Sequence, residues 1–293
     1  MKKITVMGAG FMGSGIAQVA AQAGYNVILN DVTQQNVENG MENISKNLER
    51  RVGKGKLSVD TKLSVMNLIS KSANLEDAKD SDFIIEAIFE DFDTKKKVFQ
   101  KLDRICRQDV IFASNTSSIS ITKLAATVNR PDRFIGMHFF APVPAVKLVE
   151  IIRGIKTSVE TVNMTEEIVS KIRKESVRVK DVPGFLVNRI NHALRNEAYR
   201  CLAENVACIQ DIDKAVKYGL GHPIGPFELA DFLGLDVNLN VAKILYDGYK
   251  DVRWCPNILL EQLVVSGDLG RKTGKGWYDY TSGEMKPRTD IEI

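Results

Sequence analysis

The first thirty residues constrain this chain more than any other stretch. From Ile4 to Asn30 no charged residue occurs, and the run closes on Asp31. Ile4-Thr5-Val6-Met7 reads as a short buried strand, and Gly8-Ala9-Gly10-Phe11-Met12-Gly13 follows as a glycine-rich turn. Ile16, Ala17, Val19, Ala20 and Ala23 are apolar at helical spacing, and Val27-Ile28-Leu29 reads as a second strand leading to Asp31. Strand, glycine turn, helix, strand and acid, in that order, form the fingerprint of a dinucleotide site. Gly8 permits the tight turn, Gly10 lets a pyrophosphate approach the backbone, and Gly13 lets the helix pack close to the sheet. The helix N-terminus, starting at Phe11 and Met12, adds N–H groups without helical partners and a partial positive charge.

Lys2-Lys3 and Ala21-Gln22-Ala23 imitate the ends of an export signal, but glycines and glutamines interrupt the apolar stretch between them. The expectation is a cytoplasmic protein without a membrane span. Within 293 residues a net charge of +3 is too small to imply nucleic acid. The four cysteines, Cys106, Cys201, Cys208 and Cys255, form no CxxC pair and have no histidine at metal spacing, so no metal site is expected. Cys201 and Cys208, seven apart, are expected on one face of one helix as buried reduced thiols.

After Asp31 the simplest α/β plan is interrupted. Residues Val37 to Val52 and Lys62 to Ile69 read as two helices joined by Gly53-Lys54-Gly55-Lys56, a helical hairpin inserted after the second strand. Alternation then resumes, with strands at Phe83–Ile85, Val110–Ala113, Phe134–Met137, Leu148–Ile152 and Val177–Val179. Helices are expected at Thr94–Cys106, Ile119–Thr127 and Val162–Lys174, giving an α/β fold with a Rossmann-type, mostly parallel sheet. The connection through Pro142 and Pro144 is too short for a helical crossover, so its two strands should be antiparallel. This first domain spans 1–182. From 183 to 293 the pattern is helical throughout, with Asn188–Glu204, Gln210–Lys217, Phe227–Leu233, Asp236–Tyr249 and Ile258–Val265 as an all-α C-terminal domain. Without a sheet to cover, these helices must pack on each other or on a second subunit, which suggests a homodimer.

His138, one of three histidines, follows the strand at 134–137, at the strand end where open α/β sheets place ligands. Glu150 lies twelve residues on, and a fold-back about Pro144 would bring the two face to face. A carboxylate on one imidazole nitrogen fixes the tautomer and leaves the other nitrogen to exchange a proton. A structural histidine beside a solvated glutamate remains the alternative. Asn115-Thr116-Ser117-Ser118 should lie on the same sheet edge, with Ser118 available as a helix N-cap and Ser117 facing the cleft.

Seven motifs stand in the order found in 3-hydroxyacyl-CoA dehydrogenases, and the chain resembles that family over nearly its whole length, most nearly its short bacterial 3-hydroxybutyryl-CoA members. They are Gly8-x-Gly10-x-x-Gly13, Glu86-Ala87-Ile88-x-Glu90, Ala113 to Ser118, Gly136-Met137-His138-Phe139-Phe140, Lys147-Leu148-Val149-Glu150, Pro183 to Arg189, and Gly274-Lys275-Gly276-Trp277-Tyr278. The resemblance implies an NAD-dependent enzyme interconverting (S)-3-hydroxyacyl-CoA and 3-ketoacyl-CoA. In it His138 is the general acid/base, Glu150 its partner, Ser117 the group on the substrate's C3 oxygen, and Asn188 a positioner of the thioester end. Asp31 would bind the adenosine ribose; an acid there with no close arginine favours NAD over NADP. Gly8, Gly10, Phe11, Met12, Gly13, Glu90, Lys95, Asn115, Ser117 and Lys272 match positions near the cofactor, although Lys95 also fits a solvated helix charge.

One departure stands out: the family commonly reads His-Phe-Phe-Asn-Pro, whereas this chain has Ala141 before Pro142. The basic hairpin residues Arg50, Arg51, Lys54 and Lys56 fit the phosphates of coenzyme A, with Arg50 and Lys54 foremost. A basic solvated helix end is the alternative. His192, four after Asn188, fits a satisfied histidine between the domains, and His222 a turn. Trp277 and Tyr278 should pack the chain's end onto the second domain. A dehydrogenase of a sugar acid or other non-CoA hydroxy acid, or a non-catalytic NAD-binding protein, would share the same scaffold.

Overall fold

The computed structural model describes residues 2–288, 290 and 291. Its internal contacts divide the chain into two compact units, 1–182 and 183–293.

In the first unit, eight strands form one sheet: β1 (Lys3–Met7), β2 (Asn26–Asn30), β3 (Ile69–Ser72), β4 (Phe83–Glu86), β5 (Ile111–Ser114), β6 (Phe134–Phe139), β7 (Leu148–Arg153) and β8 (Glu175–Lys180). Their order across the sheet is β3-β2-β1-β4-β5-β6-β7-β8. The pairs from β3 to β6 are parallel, β6 and β7 are antiparallel, and β7 and β8 are parallel again. Helices α1 (Phe11–Gln22), α2 (Gln34–Gly53), α3 (Val59–Asn67), α4 (Phe92–Ile105), α5 (Ile121–Ala125) and α6 (Val159–Lys171) connect them. The central strands β4, β5 and β6 are buried along their whole length. A sheet covered on both faces demands that, and it explains their unbroken apolar runs in the sequence. Helix starts are set by side chains that accept a first-turn N–H: Thr33 for α2, Ser58 for α3, Asp91 for α4 and Ser158 for α6. At α1 no side chain does so.

Two expectations fail here. The second hairpin helix stops at Asn67, and Ile69 opens the edge strand β3, paired with Val27 of β2. Only Ile69 and Ser72 of β3 are buried, so the strand has no apolar run to announce it. Helix α5 begins two residues later than expected and is five residues long, because Ser120 caps it by accepting from Lys123 N. The Asp181 carboxylate takes the N–H groups of Ile121 and Thr122.

The second unit contains α7 (Val187–Ala203), α8 (Ile209–Lys214), α9 (Pro226–Leu233), α10 (Leu235–Tyr249) and α11 (Ile258–Val265). Its core stacks Tyr199 on Trp277 at 4.7 Å, with Phe227 edge-on to Trp277 at 4.9 Å. Trp277 and Tyr278 thus pin the end of the chain to the helices, and Asp231 accepts both of their N–H groups. The unit is not wholly helical: β9 (Tyr278–Asp279) pairs antiparallel with β10 (Lys286–Pro287). Helix α8 ends in a wide π turn at Ala215–Gly219. Cys201 belongs to α7 whereas Cys208 is the N-cap of α8, so the two do not share a helix; both are half-buried. His222 lies between α8 and α9. His192 is buried, yet neither ring nitrogen has a hydrogen-bond partner among the described residues. The ring lies 6.0 Å from that of Trp254. Burial, reinforced by the charge of Arg195, pulls its pKa down to about 4, so it is a neutral core ring rather than a satisfied one.

Candidate active site

The glycine turn between β1 and α1 is shaped by close approaches. Gly8 has φ +97°, and a Cβ there would lie 2.5 Å from the Ala87 carbonyl oxygen. A Cβ on Gly13 would lie 1.8 Å from the Gly8 carbonyl oxygen, so the helix could not seat on the turn with any side chain at that position. A Cβ on Gly10, by contrast, would meet nothing within 4 Å. Open space above Gly10, an uncapped helix start at Phe11, Met12 and Gly13, and no acid in that first turn fit a diphosphate. Asp31 supports the same turn: its Oδ2 accepts Ala9 N at 2.7 Å, and its Oδ1 accepts Val32 N at 2.7 Å and Asn36 Nδ2 at 2.8 Å. A half-exposed carboxylate at the end of β2 suits ribose hydroxyls and repels a 2′-phosphate.

Along the carboxyl edge of β4 and β5 a charged network organises the loop 115–118. Lys95 is 1% exposed, which excludes a solvated helix charge, and its Nζ lies 2.5 Å from Glu86 Oε1 and 3.2 Å from Glu90 Oε2. Glu86, fully buried, also accepts Ser114 Oγ at 2.5 Å and Ile88 N at 2.8 Å. Glu90 Oε1 accepts from Thr116 Oγ1 at 2.5 Å, Ser117 N at 2.9 Å and Ser118 Oγ at 2.9 Å. Burial works to raise Glu90, but Lys95 and these donors outweigh it and hold the carboxyl below its usual range. The loop carrying Ser117 is therefore gathered onto one ionised oxygen. Ser118 is engaged there and is not the helix cap, which is Ser120. Asn115 ties the loop to β6 by accepting Phe139 N at 2.9 Å.

Beside it, His138 and Glu150 are directly opposed in the antiparallel β6–β7 register. His138 Nδ1 lies 2.7 Å from Glu150 Oε2, with Glu150 fully buried and the imidazole nearly so. His138 ends up inside β6 rather than just after it. A carboxylate held on Nδ1 fixes the tautomer that presents Nε2 for proton exchange, and it stabilises the imidazolium when that nitrogen is protonated. The ring leans on Phe140 at 4.5 Å. The peptide bond between Ala141 and Pro142 is cis.

Arg50 and Lys54 line a cavity of about 640 Å³ together with Phe11 and Ser14 of α1. The first unit thus brings together the glycine turn, Asp31, Glu90, Lys95, Asn115, Ser117, His138 and Glu150, with the basic hairpin beside α1. Asn188 and Lys272 belong to the second unit. Asn188 is in the first turn of α7, and Lys272 pairs with Asp236 at 2.6 Å. Glu86, Ser114 and Thr116 stand within motifs of the sequence that assign them no individual role. The Glu86-Ala87-Ile88-x-Glu90 motif was the available signal, since two acids four apart beside one buried lysine form a triad.

Known proteins resemble this chain along nearly its whole length. Residues 3–182 match the family model described as 3-hydroxyacyl-CoA dehydrogenase, NAD binding domain, and 184–280 match 3-hydroxyacyl-CoA dehydrogenase, C-terminal domain. A probable 3-hydroxybutyryl-CoA dehydrogenase of Bacillus subtilis is 48% identical over 280 residues, covering 96% of this chain and 98% of its own. A 3-hydroxybutyryl-CoA dehydrogenase of Bradyrhizobium diazoefficiens is 45% identical, covering 98% of each. The crystal structure of an (S)-3-hydroxybutyryl-CoA dehydrogenase from Ralstonia eutropha superimposes with a TM-score of 0.94 at 44% identity, over 96% of this chain and 99% of that one. With both of its halves matched and relatives alike from end to end, this chain belongs to the 3-hydroxyacyl-CoA dehydrogenase family, whose N-terminal domain binds NAD.

Proposed function

We propose that the protein is an NAD-dependent (S)-3-hydroxyacyl-CoA dehydrogenase whose preferred pair is 3-hydroxybutyryl-CoA and acetoacetyl-CoA, with His138 as general acid/base. The 2.7 Å contact between His138 Nδ1 and Glu150 Oε2, made across one rung of the β6–β7 pair, carries this reading. In the oxidative direction Nε2 takes the C3 hydroxyl proton, and in the reductive direction it returns that proton to the C3 oxygen. Glu150 offsets the imidazolium charge. Ser117 donates to the C3 oxygen from a loop that Glu90 holds in place. NAD, bound along the glycine turn with Asp31 at its ribose, supplies the hydride acceptor or donor.

Arg50 and Lys54 attract the phosphates of coenzyme A, Asn188 positions the thioester end, and Lys272 contributes near the cofactor. Asp31 underlies a preference for NAD over NADP. The assembly is a homodimer through the second unit, which leaves Phe232 57% and Val237 48% exposed on α9 and α10. A cytoplasmic location suits four free cysteines, and no helix among the described residues is long and apolar enough to cross a membrane.

The test is a spectrophotometric assay of NADH and NADPH against 3-ketoacyl-CoA thioesters of increasing length. NADH oxidation that is fastest with acetoacetyl-CoA is expected. No absorbance change with any thioester would end the assignment. A single monomeric species by sedimentation at micromolar concentration would remove the dimer.

A further inference from the structure

The hairpin cavity that contains Arg50 and Lys54 does not stand alone. A second cavity of about 450 Å³ adjoins it in the first unit, and the two share Arg51, Lys56, Pro144 and Ala145 as walls. It lies between the C-terminal half of α1, the hairpin, the 144–147 segment and the end of α6. Its size falls within the range of small-molecule sites. Six of its lining residues are cations, namely Arg51, Lys56, Lys147, Lys171, Arg173 and Lys174, and no carboxylate lines it.

Three acids of the neighbouring elements are engaged elsewhere, while Glu167, four residues before Lys171, is exposed and forms no salt bridge among the described residues. On the same elements Glu42 pairs with Lys46, Glu49 with Lys62, and Glu166 with Arg178. The cations facing the cavity form no salt bridge among the described residues. Lys174, only 8% exposed, is differently placed: its Nζ donates to the carbonyls of Val143 at 2.6 Å and Val146 at 2.5 Å. That buried ammonium fastens the segment forming one wall and adds fixed positive charge behind it. Like charges converging on a concave wall repel one another, and a concavity focuses their field, so such a wall is stabilised by a multiply charged anion. Arg173 adds to this from a left-handed backbone conformation, φ +59°, just past the end of α6.

We propose that this second cavity binds a ligand bearing several phosphates, beside the hairpin cavity and sharing Arg51 and Lys56 with it. The phosphates come either from the nucleotide end of a bound coenzyme A, which rests on the function proposed above, or from a free oligophosphate that competes with it.

Inorganic tripolyphosphate is the probe, titrated calorimetrically into the full-length protein at low and at physiological ionic strength. Its binding should weaken with salt, and the Lys147→Gln/Lys171→Gln/Arg173→Gln variant should weaken it by about tenfold or more. The three residues are exposed, so folding should survive. Arg173→Gly gives a second readout: it should raise the melting temperature, because glycine adopts that φ without strain, while weakening tripolyphosphate binding. Equal binding by wild type and triple variant, or no binding by wild type, overturns the proposal.

Kinetics then separate the sources. If coenzyme A fills the cavity, the triple variant raises KM for acetoacetyl-CoA and leaves KM for acetoacetyl-pantetheine unchanged. If a free oligophosphate does, tripolyphosphate inhibits the wild type with acetoacetyl-CoA, and the triple variant escapes inhibition with its KM unchanged. Absence of turnover with both thioesters would defeat the proposed function and leave the titration to decide the anion site.

Discussion

In the first unit Lys95, Arg130 and His138 are buried against acids, Glu86 at 2.5 Å, Asp103 at 2.7 Å and Glu150 at 2.7 Å. In the second unit Arg195 is 3% exposed with no carboxylate partner among the described residues, and its Nε and Nη1 have no hydrogen-bond partner there. Among the described residues, the acids Asp213 and Asp231 of that unit accept only main-chain N–H groups and tyrosine hydroxyls. Buried charge thus has different duties in the two units. In the first, opposite charges hold one another in a medium that screens poorly; the Lys95 and His138 pairs lie along the candidate site, whereas Arg130 and Asp103 tie α4 to the segment before β6. In the second, ion pairs exist as well, Lys217 with Glu228 at 3.0 Å and Arg288 with Asp268 at 2.6 Å, but Asp213 and Asp231 serve as acceptors that tie the end of the chain to α8 and α9. That duty needs lone pairs more than it needs charge.

Substitutions on both sides put this contrast to the test. The largest effect is expected from His138→Ala, which should lower turnover about a thousandfold or more in the NADH assay with acetoacetyl-CoA. Near-normal turnover would remove His138 from the chemistry. Glu150→Gln should cause a smaller but still large loss and alter the pH–rate profile; an unchanged profile would argue against its pairing role. Next, Lys95→Met strands Glu86 in the interior and should cost about 3–5 kcal/mol of stability by denaturant titration. A loss below about 1 kcal/mol would show that this pair is not a mutual support.

Two pH effects of opposite sign follow in the second unit. Burial raises Asp231 to about 6, outweighing its N–H and hydroxyl donors. The folded state therefore keeps a proton that the unfolded chain has released, and Asp231 makes stability fall as pH rises from about 4 to 6. Asp231→Asn should remove that slope, worth up to about 3 kcal/mol. His192, held down to about 4 by burial, is protonated first in the unfolded chain, so its contribution is lost as pH falls from 6.5 towards 4. His192→Phe should flatten that acid limb, and melting curves across pH 4 to 7 distinguish the two variants. The smallest change is expected from Arg195→Met, within about 1 kcal/mol and of either sign, because no partner is left behind. A loss of several kcal/mol would mean that Arg195 answers an acid after all.

The parallel sheet was legible because its strands are short β-branched runs, and the antiparallel ending because nothing but a proline-containing turn separates two of them. The same turn made His138 and Glu150 legible as a pair: residues equidistant from a fold-back meet on one rung. Edge strand β3 was not legible, since Ser70 and Lys71 face solvent and leave no pattern. Strands β9 and β10, two residues each, carry no periodicity at all. Ser118 looked like a cap because the competing acceptor, Glu90, lies 28 residues away in sequence. A solvated helix charge stayed open for Lys95 beside a place near the cofactor for a related reason: its burial is set by Glu86 at the end of β4, and spacing within α4 says nothing about that strand.

The placement of His138 and Glu150 on facing strands has an evolutionary consequence. Main-chain ladder bonds on either side guard their separation, so the 140–147 connection can gain or lose residues, or carry Ala141 before its cis proline, without unmaking the couple. A slip of one residue along that ladder is another matter. It would send the carboxylate to the opposite side of the sheet, leaving the imidazole free to choose either tautomer. The crossing segment is thus open to drift, while the proposed acid–base couple changes only in a single step that loses it altogether.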